Sequence, residues 1–263
     1  MRFLALLGLG VLAAAVAVGL NLLPVLQQTG MTQAVLRIII LALVLFGLWR
    51  GLSATNAPAA ARRNGWLTVA MVLVVWAAVA WTLAAADVFE QGSGVDVLLA
   101  IFLPLIIGLP LLLRSSWLGR VLDMTPPAWL TGLQVYRVFG TAWIVAWATG
   151  ALPGAFALPA GIGDTLVGML AVPVAGIVSR NPGAGVAWNV LGILDLADAI
   201  VLSSLVVQGL MPYPLILIPT FAVPLSLLLH AVSLRQLRRG ALGVSHTNGA
   251  TKTRTAAVAA HLL

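Results

Sequence analysis

Apolar residues run through this chain in long unbroken stretches, and polar residues punctuate them. A helix rises about 1.5 Å per residue, so it needs roughly 20 apolar residues to cross a hydrocarbon core about 30 Å thick. Eight such runs are legible, near residues 3–23, 34–50, 66–86, 95–113, 130–152, 158–178, 185–207 and 215–235. The pattern predicts an all-α integral membrane protein, an eight-transmembrane-helix bundle. Residues 1–239 read as a single polytopic transmembrane domain.

The placement of positive charge tests that count, because short cytoplasmic loops retain Lys and Arg. Alternating eight spans from a cytoplasmic N-terminus puts Arg2, Arg50, Arg62, Arg63, Arg114, Arg120, Arg180, Arg235, Arg238, Arg239, Lys252 and Arg254 on one side. These are twelve of the fourteen basic residues. The other two, Arg37 and Arg137, fall inside spans, and the opposite loops carry Asp87, Glu90 and Asp96. Both termini are therefore expected in the cytoplasm. If the first run, with Ala15-Val16-Ala17, is instead a cleaved signal peptide, seven spans remain and the orientation downstream is unchanged.

Two features modify this plan. Span four holds Pro104 and Pro110 before Leu-Leu-Leu-Arg114, and span eight holds Pro219 and Pro224 before Leu-Leu-Leu-His230, which suggests a 4+4 parallel repeat. Residues 240–263 lack apolar periodicity and read as a disordered cytoplasmic tail, with His246 and His261 as ordinary tail residues.

Composition agrees: 61% of the residues are hydrophobic and 8% charged, against about 25% charged in soluble domains. The formal charge of +7 is spread over short loops and forms no basic face, so nucleic acid is not an expected partner. The absence of cysteine excludes disulfides, thiolate metal sites and cysteine nucleophiles. Among nine tryptophans, Trp66, Trp117, Trp129 and Trp188 fall near predicted interfaces, where aromatic belts form.

Candidate chemistry concentrates in residues 130–235. The first four spans offer little polarity at depth, and Arg37, near the outer end of span two, reads as a side chain snorkelling to the interface. The later spans place Gln134, Arg137, Asp164, Asn189, Asp195, Asp198 and His230 in or beside apolar runs, where ionisable groups are costly and mark function by default. Gln134, Arg137 and Thr141 share one helical face; Asp195 and Asp198 are i, i+3 neighbours; Ser226, His230 and Ser233 share another face. Asp164 heads a stripe of small residues, Gly168, Ala171 and Ala175, that admits close approach of another helix.

From the rise per residue, Arg137 and Asp195 differ in depth by about 6 Å, within reach of an Arg side chain, and an ion pair is predicted. Three aspartates against one arginine leave two negative charges for a proton, a charged His230 or a bound cation to neutralise. The Pro- and Gly-rich stretch from Leu152 to Asp164 predicts either a broken sixth span or a short tilted one with Asp164 as its N-cap.

Gly161-Ile162-Gly163-Asp164 resembles the glycine–any–glycine–aspartate motif of intramembrane aspartyl proteases and prepilin-type peptidases. The resemblance spans four residues and implies that Asp164 pairs with a second aspartate in peptide hydrolysis. In those families the partner aspartate lies on an earlier span, whereas Asp195 and Asp198 come later. No span holds a lysine for a retinal Schiff base, and one intramembrane His cannot supply paired haem ligands. No cofactor and no metal are called for.

The sequence thus favours a small-solute or cation transporter of the bacterial plasma membrane. Asp195 and Asp198 would exchange protons or cations, with Arg137 as counter-ion and Asp164 at the external mouth. His230, Asn189 and Gln134 would continue the route toward the cytoplasm. The alternatives are a membrane-embedded enzyme using an aspartate pair on peptide or lipid, and a non-catalytic membrane partner.

Overall fold

Long apolar helices without an aqueous surface of their own must pack by shape, and small residues decide where they touch. The computed structural model describes residues 2–23, 31–53, 55–91, 94–114, 125–208 and 211–239. The predicted tail, with His246, His261, Lys252 and Arg254, lies outside the described residues, as do Trp117 and Arg120.

The described residues form helices α1 (Arg2–Leu22), α2 (Met31–Ser53), α3 (Ala59–Ala85) and α4 (Val95–Arg114). A broken rod follows: α5 (Pro127–Leu133), a 3-10 segment (Gln134–Gly140) and α6 (Thr141–Ala148). The chain ends in α7 (Gly154–Ile177), α8 (Pro182–Leu202) and α9 (Ile218–Arg239). Six of these, α1, α3, α4, α7, α8 and α9, are long and apolar enough to cross a membrane. The protein is a multi-pass helical membrane protein by length and composition. Of the eight predicted runs, the second corresponds to the 23-residue α2, and the fifth to the broken rod.

Local signals set several boundaries. Asn181 caps α8 by accepting a hydrogen bond from the Ala184 N–H, and Pro182 occupies the first turn, where its missing N–H costs nothing. The prolines of the sixth run do not break it. α7 starts at Gly154, runs through Pro159 and Pro173, and carries Asp164 in its interior, so Asp164 is not an N-cap. The interruption lies one span earlier, at Gln134–Gly140. Pro104 and Pro110 likewise sit inside a continuous α4, whereas Pro219 lies in a π-helical turn, Ile218–Ala222, at the start of α9.

Helix α9 is the axis of the bundle: 67% of its most apolar window is buried, against 17–39% for the other five long helices. Phe221 of α9 packs on Trp76 of α3, with ring centroids 4.9 Å apart. Helix α7 is the second hub, in contact with α1, α5, the 3-10 segment, α6 and α8. Its small-residue stripe receives the broken rod. A Cβ on Gly168 would lie 2.5 Å from the Val138 backbone nitrogen, and one on Gly132 would meet the Ala175 side chain at 3.6 Å. On its other flank α7 takes α1, whose Ala14 and Ala17 are buried against Val138 and Met169.

Gly168→Ala should therefore destabilise the protein by about 1–3 kcal/mol, because backbone and not a flexible side chain fills the space. Gly19→Ala, with nothing within 4 Å, should be neutral or stabilising. Unfolding in a detergent–denaturant titration distinguishes the two; equal stability would contradict the packing.

Candidate functional site

The 3-10 segment carries Arg137 into the space between α7, α8 and α9. In a tightened helix with three residues per turn, Gln134, Arg137 and Gly140 fall on one edge. Gly140 matters there because a side chain would overlap Asp164. Arg137 is 1% exposed at its side chain, and Asp164 and Asp195 are 13% and 11% exposed. So buried a guanidinium is costly unless acceptors surround it.

Its donors are shared among three helices. Nε donates to Asp164 Oδ1 on α7 at 2.8 Å, and Nη2 donates to Asp195 Oδ2 on α8. Nη1 donates to the Gly192 carbonyl at 3.3 Å and meets His230 Nε2 of α9 at 3.1 Å. The Arg137–Asp195 pair inferred from helix depth is present, and Asp164 forms a second pair. Gly192 lets His230 and Arg137 approach, since a Cβ there would lie 2.4 Å or less from the imidazole and 3.0 Å from Nη1.

The next layer fixes the charge of His230. Asn189 donates through Nδ2 to the Gly185 carbonyl at 2.8 Å and to Ser233 Oγ at 3.0 Å, which leaves its Oδ1 as acceptor. Oδ1 faces His230 Nδ1 at 2.9 Å, so Nδ1 carries the proton. A guanidinium has no acceptor, so Nε2, facing Arg137, presents its lone pair. His230 is neutral. Trp188 holds the ring from the side, 5.0 Å between centroids, and donates to the Val167 carbonyl at 3.0 Å. Trp188 is thus a buried packing residue and not part of an aromatic belt.

Two cavities adjoin this cluster. The first, ≈ 30 Å³, is lined by Arg37, Tyr136, Arg137, Asp164 and Ser226 among apolar residues. The second, ≈ 20 Å³, is lined by Asp164, Ser203, Met211, Trp143 and Phe156 among others. Both exceed the about 10–15 Å³ that one water needs, and both are bordered by Asp164, Leu196 and Val223. Tyr136 Oη and Ser226 Oγ are 2.7 Å apart, and Gln134 Nε2 donates to the Ser226 carbonyl at 3.1 Å.

Several sequence expectations change. Asp198 is exposed on α8 and does not join the cluster, so the local carboxylates number two. A charged His230 is ruled out as their neutraliser by its hydrogen bonds. Arg37 does not snorkel: it is 6% exposed and forms cavity wall. Asp164, and neither aspartate of α8, borders the cavities. The sequence reading also passed over Tyr136 and Ser203 altogether. Tyr136 stands between two flagged residues, Gln134 and Arg137, and that adjacency was the available signal.

The geometry opposes the peptidase resemblance. An aspartyl pair that hydrolyses peptides shares a water and a proton between its carboxyls, whereas here a guanidinium stands between Asp164 and Asp195 and bonds both. Among the described residues there is no group of three or more His, Cys, Asp or Glu placed to hold a metal ion.

The family model described as "Domain of unknown function (DUF8737)" matches residues 94–238, more than half of the chain. The match encloses α4 to α9 nearly whole and every member of the Arg137 cluster. No curated protein and no solved structure matches.

Arg137→Met should cost about 3–5 kcal/mol of stability, because it leaves two carboxylates facing each other without their cation. Adding Asp164→Asn and Asp195→Asn to it should recover most of that loss. Denaturant titration of the single and triple variants checks both signs; a single variant as stable as the wild type would remove the cluster from the folding argument.

Proposed function

We propose that this chain, which belongs to the DUF8737 family, is a proton- or cation-coupled small-solute transporter of the bacterial inner membrane, with eight spans and both termini in the cytoplasm. One observation carries the reading: Asp164 takes part in a buried ion pair and also borders two water-sized cavities. A carboxylate in both situations can exchange its counter-charge with a solvated proton or cation. Intramembrane carboxylates of this kind serve proton and ion pathways. Asp164 and Asp195 are the exchanging pair, Arg137 is their counter-ion, and His230, Asn189 and Gln134 hold Arg137 and its helix in place. Asp198 has no part in this reading.

The backbone supports it. Three departures from α geometry border the two cavities: the 3-10 segment contributes Tyr136 and Arg137 to the first, the π turn Ser203–Val207 contributes Ser203 to the second, and the π turn of α9 contributes Ile218 and Ala222 to the first and Pro219 to the second. Non-α backbone at membrane depth is tolerated where it lines a cavity, and such turns recur at functional sites and hinges.

In proteoliposomes loaded with a pH indicator, at least one member of a panel of small carboxylates, amines and amides should drive proton movement. Asp164→Asn should reduce it at least tenfold while the protein stays monodisperse. Absence of flux across the whole panel would sink the reading. The topology has its own test, since the chain has no native cysteine. In intact cells, Gln91→Cys should react with an impermeant maleimide, and Asn64→Cys should react only after permeabilisation.

A further inference from the structure

Asp198 is the carboxyl group that the ionic centre leaves over. Helix α8 and the π turn that continues it form one apolar span, Pro182–Val207, of 26 residues. The middle of that span falls between Leu194 and Asp195. With a rise of about 1.5 Å per residue, Asp198 lies about 5 Å from it. A hydrocarbon core about 30 Å thick then leaves about 10 Å between this side chain and the nearer interface. Snorkelling relies on the long stems of Lys and Arg, and an aspartate has no such stem.

Nothing within the chain relieves this placement. Asp198 is exposed, and among the described residues no hydrogen bond or ion pair reaches it. Exposed hydroxyls of other spans bond their own helix, as Ser204 does to the Ile200 carbonyl and Thr82 to the Ala78 carbonyl. A carboxyl at this depth without a partner is costly, and intramembrane ionisable side chains ordinarily face protein or water.

The face that carries Asp198 also has the spacing of a helix pair. Ala187, Leu191, Leu194, Asp198 and Val201, all exposed, follow one another at intervals of four, three, four and three residues. That is the seam along which two helices pack at a shallow left-handed crossing. A single polar residue in such a seam sets register and partner number.

These facts select a second copy of this chain as the partner. Two copies inserted in the same orientation, and related by a two-fold axis along the membrane normal, place each residue of α8 opposite itself at equal depth. Asp198 then meets its own counterpart. A neutral carboxyl group is both donor and acceptor, so two of them, or one acid and one carboxylate sharing a proton, satisfy each other. A different protein would need a polar group set independently at this depth, whereas a second copy has one by symmetry.

We infer that the outer face of α8 is the interface of a parallel homodimer, closed by the paired carboxyls of Asp198. The inference uses neither the cavities nor the Arg137 cluster, and it stands or falls apart from the transport reading.

The chain has no native cysteine, so single cysteines in the full-length protein, purified and reconstituted in phosphatidylcholine liposomes, report the contact. Under copper phenanthroline, Leu194→Cys and Val201→Cys should form a disulfide-linked dimer, and Met71→Cys, comparably exposed on α3, should not. Photobleaching of fluorophore-labelled protein at low protein-to-lipid ratios should count two copies per spot. Asp198→Leu should raise the dissociation constant of the dimer at least tenfold, while Asp198→Asn, which keeps a donor and an acceptor, should retain most of the affinity. Leu194→Trp, which widens the seam without changing its charge, is the second variant and should weaken the dimer severalfold.

A single copy per spot at every protein-to-lipid ratio would overturn the inference and leave the face to lipid or to another protein. Cross-linking of Met71→Cys as readily as of Leu194→Cys, or an undiminished dimer in both Asp198→Leu and Leu194→Trp, would overturn it as well.

Discussion

A guanidinium inside a bilayer must be surrounded by acceptors, and the arrangement of this bundle follows from that requirement at Arg137. No single neighbouring helix satisfies it. α7 supplies Asp164, α8 supplies Asp195 and the Gly192 carbonyl, and α9 supplies the lone pair of His230. Meeting all of these at once requires the four elements to approach closely. Gly140, Gly163, Gly168 and Gly192 stand where any side chain would collide with the cluster or with its backbone. The glycines and the charges are therefore one design: small residues bring the helices together, and the ionic centre fixes their register.

The bundle was legible in the sequence because hydropathy reports membrane burial directly, whatever the helices do next. The break in the rod was not legible, because Gln134–Gly140 is as compatible with an α-helix as with a 3-10 one. The stretch that did look broken, Leu152 to Asp164, owes its glycines to packing. Gly161 faces Ile144 and Trp143, and Gly163 faces Asp195. Pro153 precedes α7 and Pro159 lies near its start, where few carbonyls lose a partner. Glycine and proline signal an interruption in water-soluble chains more reliably than in a membrane, where close approach is their other use.

Pairing was easier to read than facing. The depth of Arg137 and Asp195 follows from counting residues, and so the ion pair did too. Whether a side chain turns inward depends on the azimuth of its helix, which one sequence does not reveal. Hence Asp198, one turn from Asp195, proved exposed, and Arg37 and Trp188, placed near interfaces by position, proved buried. His230 illustrates the same limit at finer scale. Its neutrality depends on which atom of Asn189 faces it, and that is set by Gly185 and Ser233 on two different helices.

The family match sharpens the division of labour within the chain. Arg137, Asp164, Asn189, Asp195, His230 and Ser233 all lie between residues 94 and 238, so the ionic centre closes within the matched segment. The first cavity does not, because Arg37 and Ile40 of α2 complete its wall from outside that segment. The centre and the chamber are thus separable in principle. The matched helices hold a neutral histidine, a cation and two carboxylates, and α2 contributes a second guanidinium to the cavity wall. The charges that fix helix register and the wall that encloses the chamber therefore come from different parts of the chain.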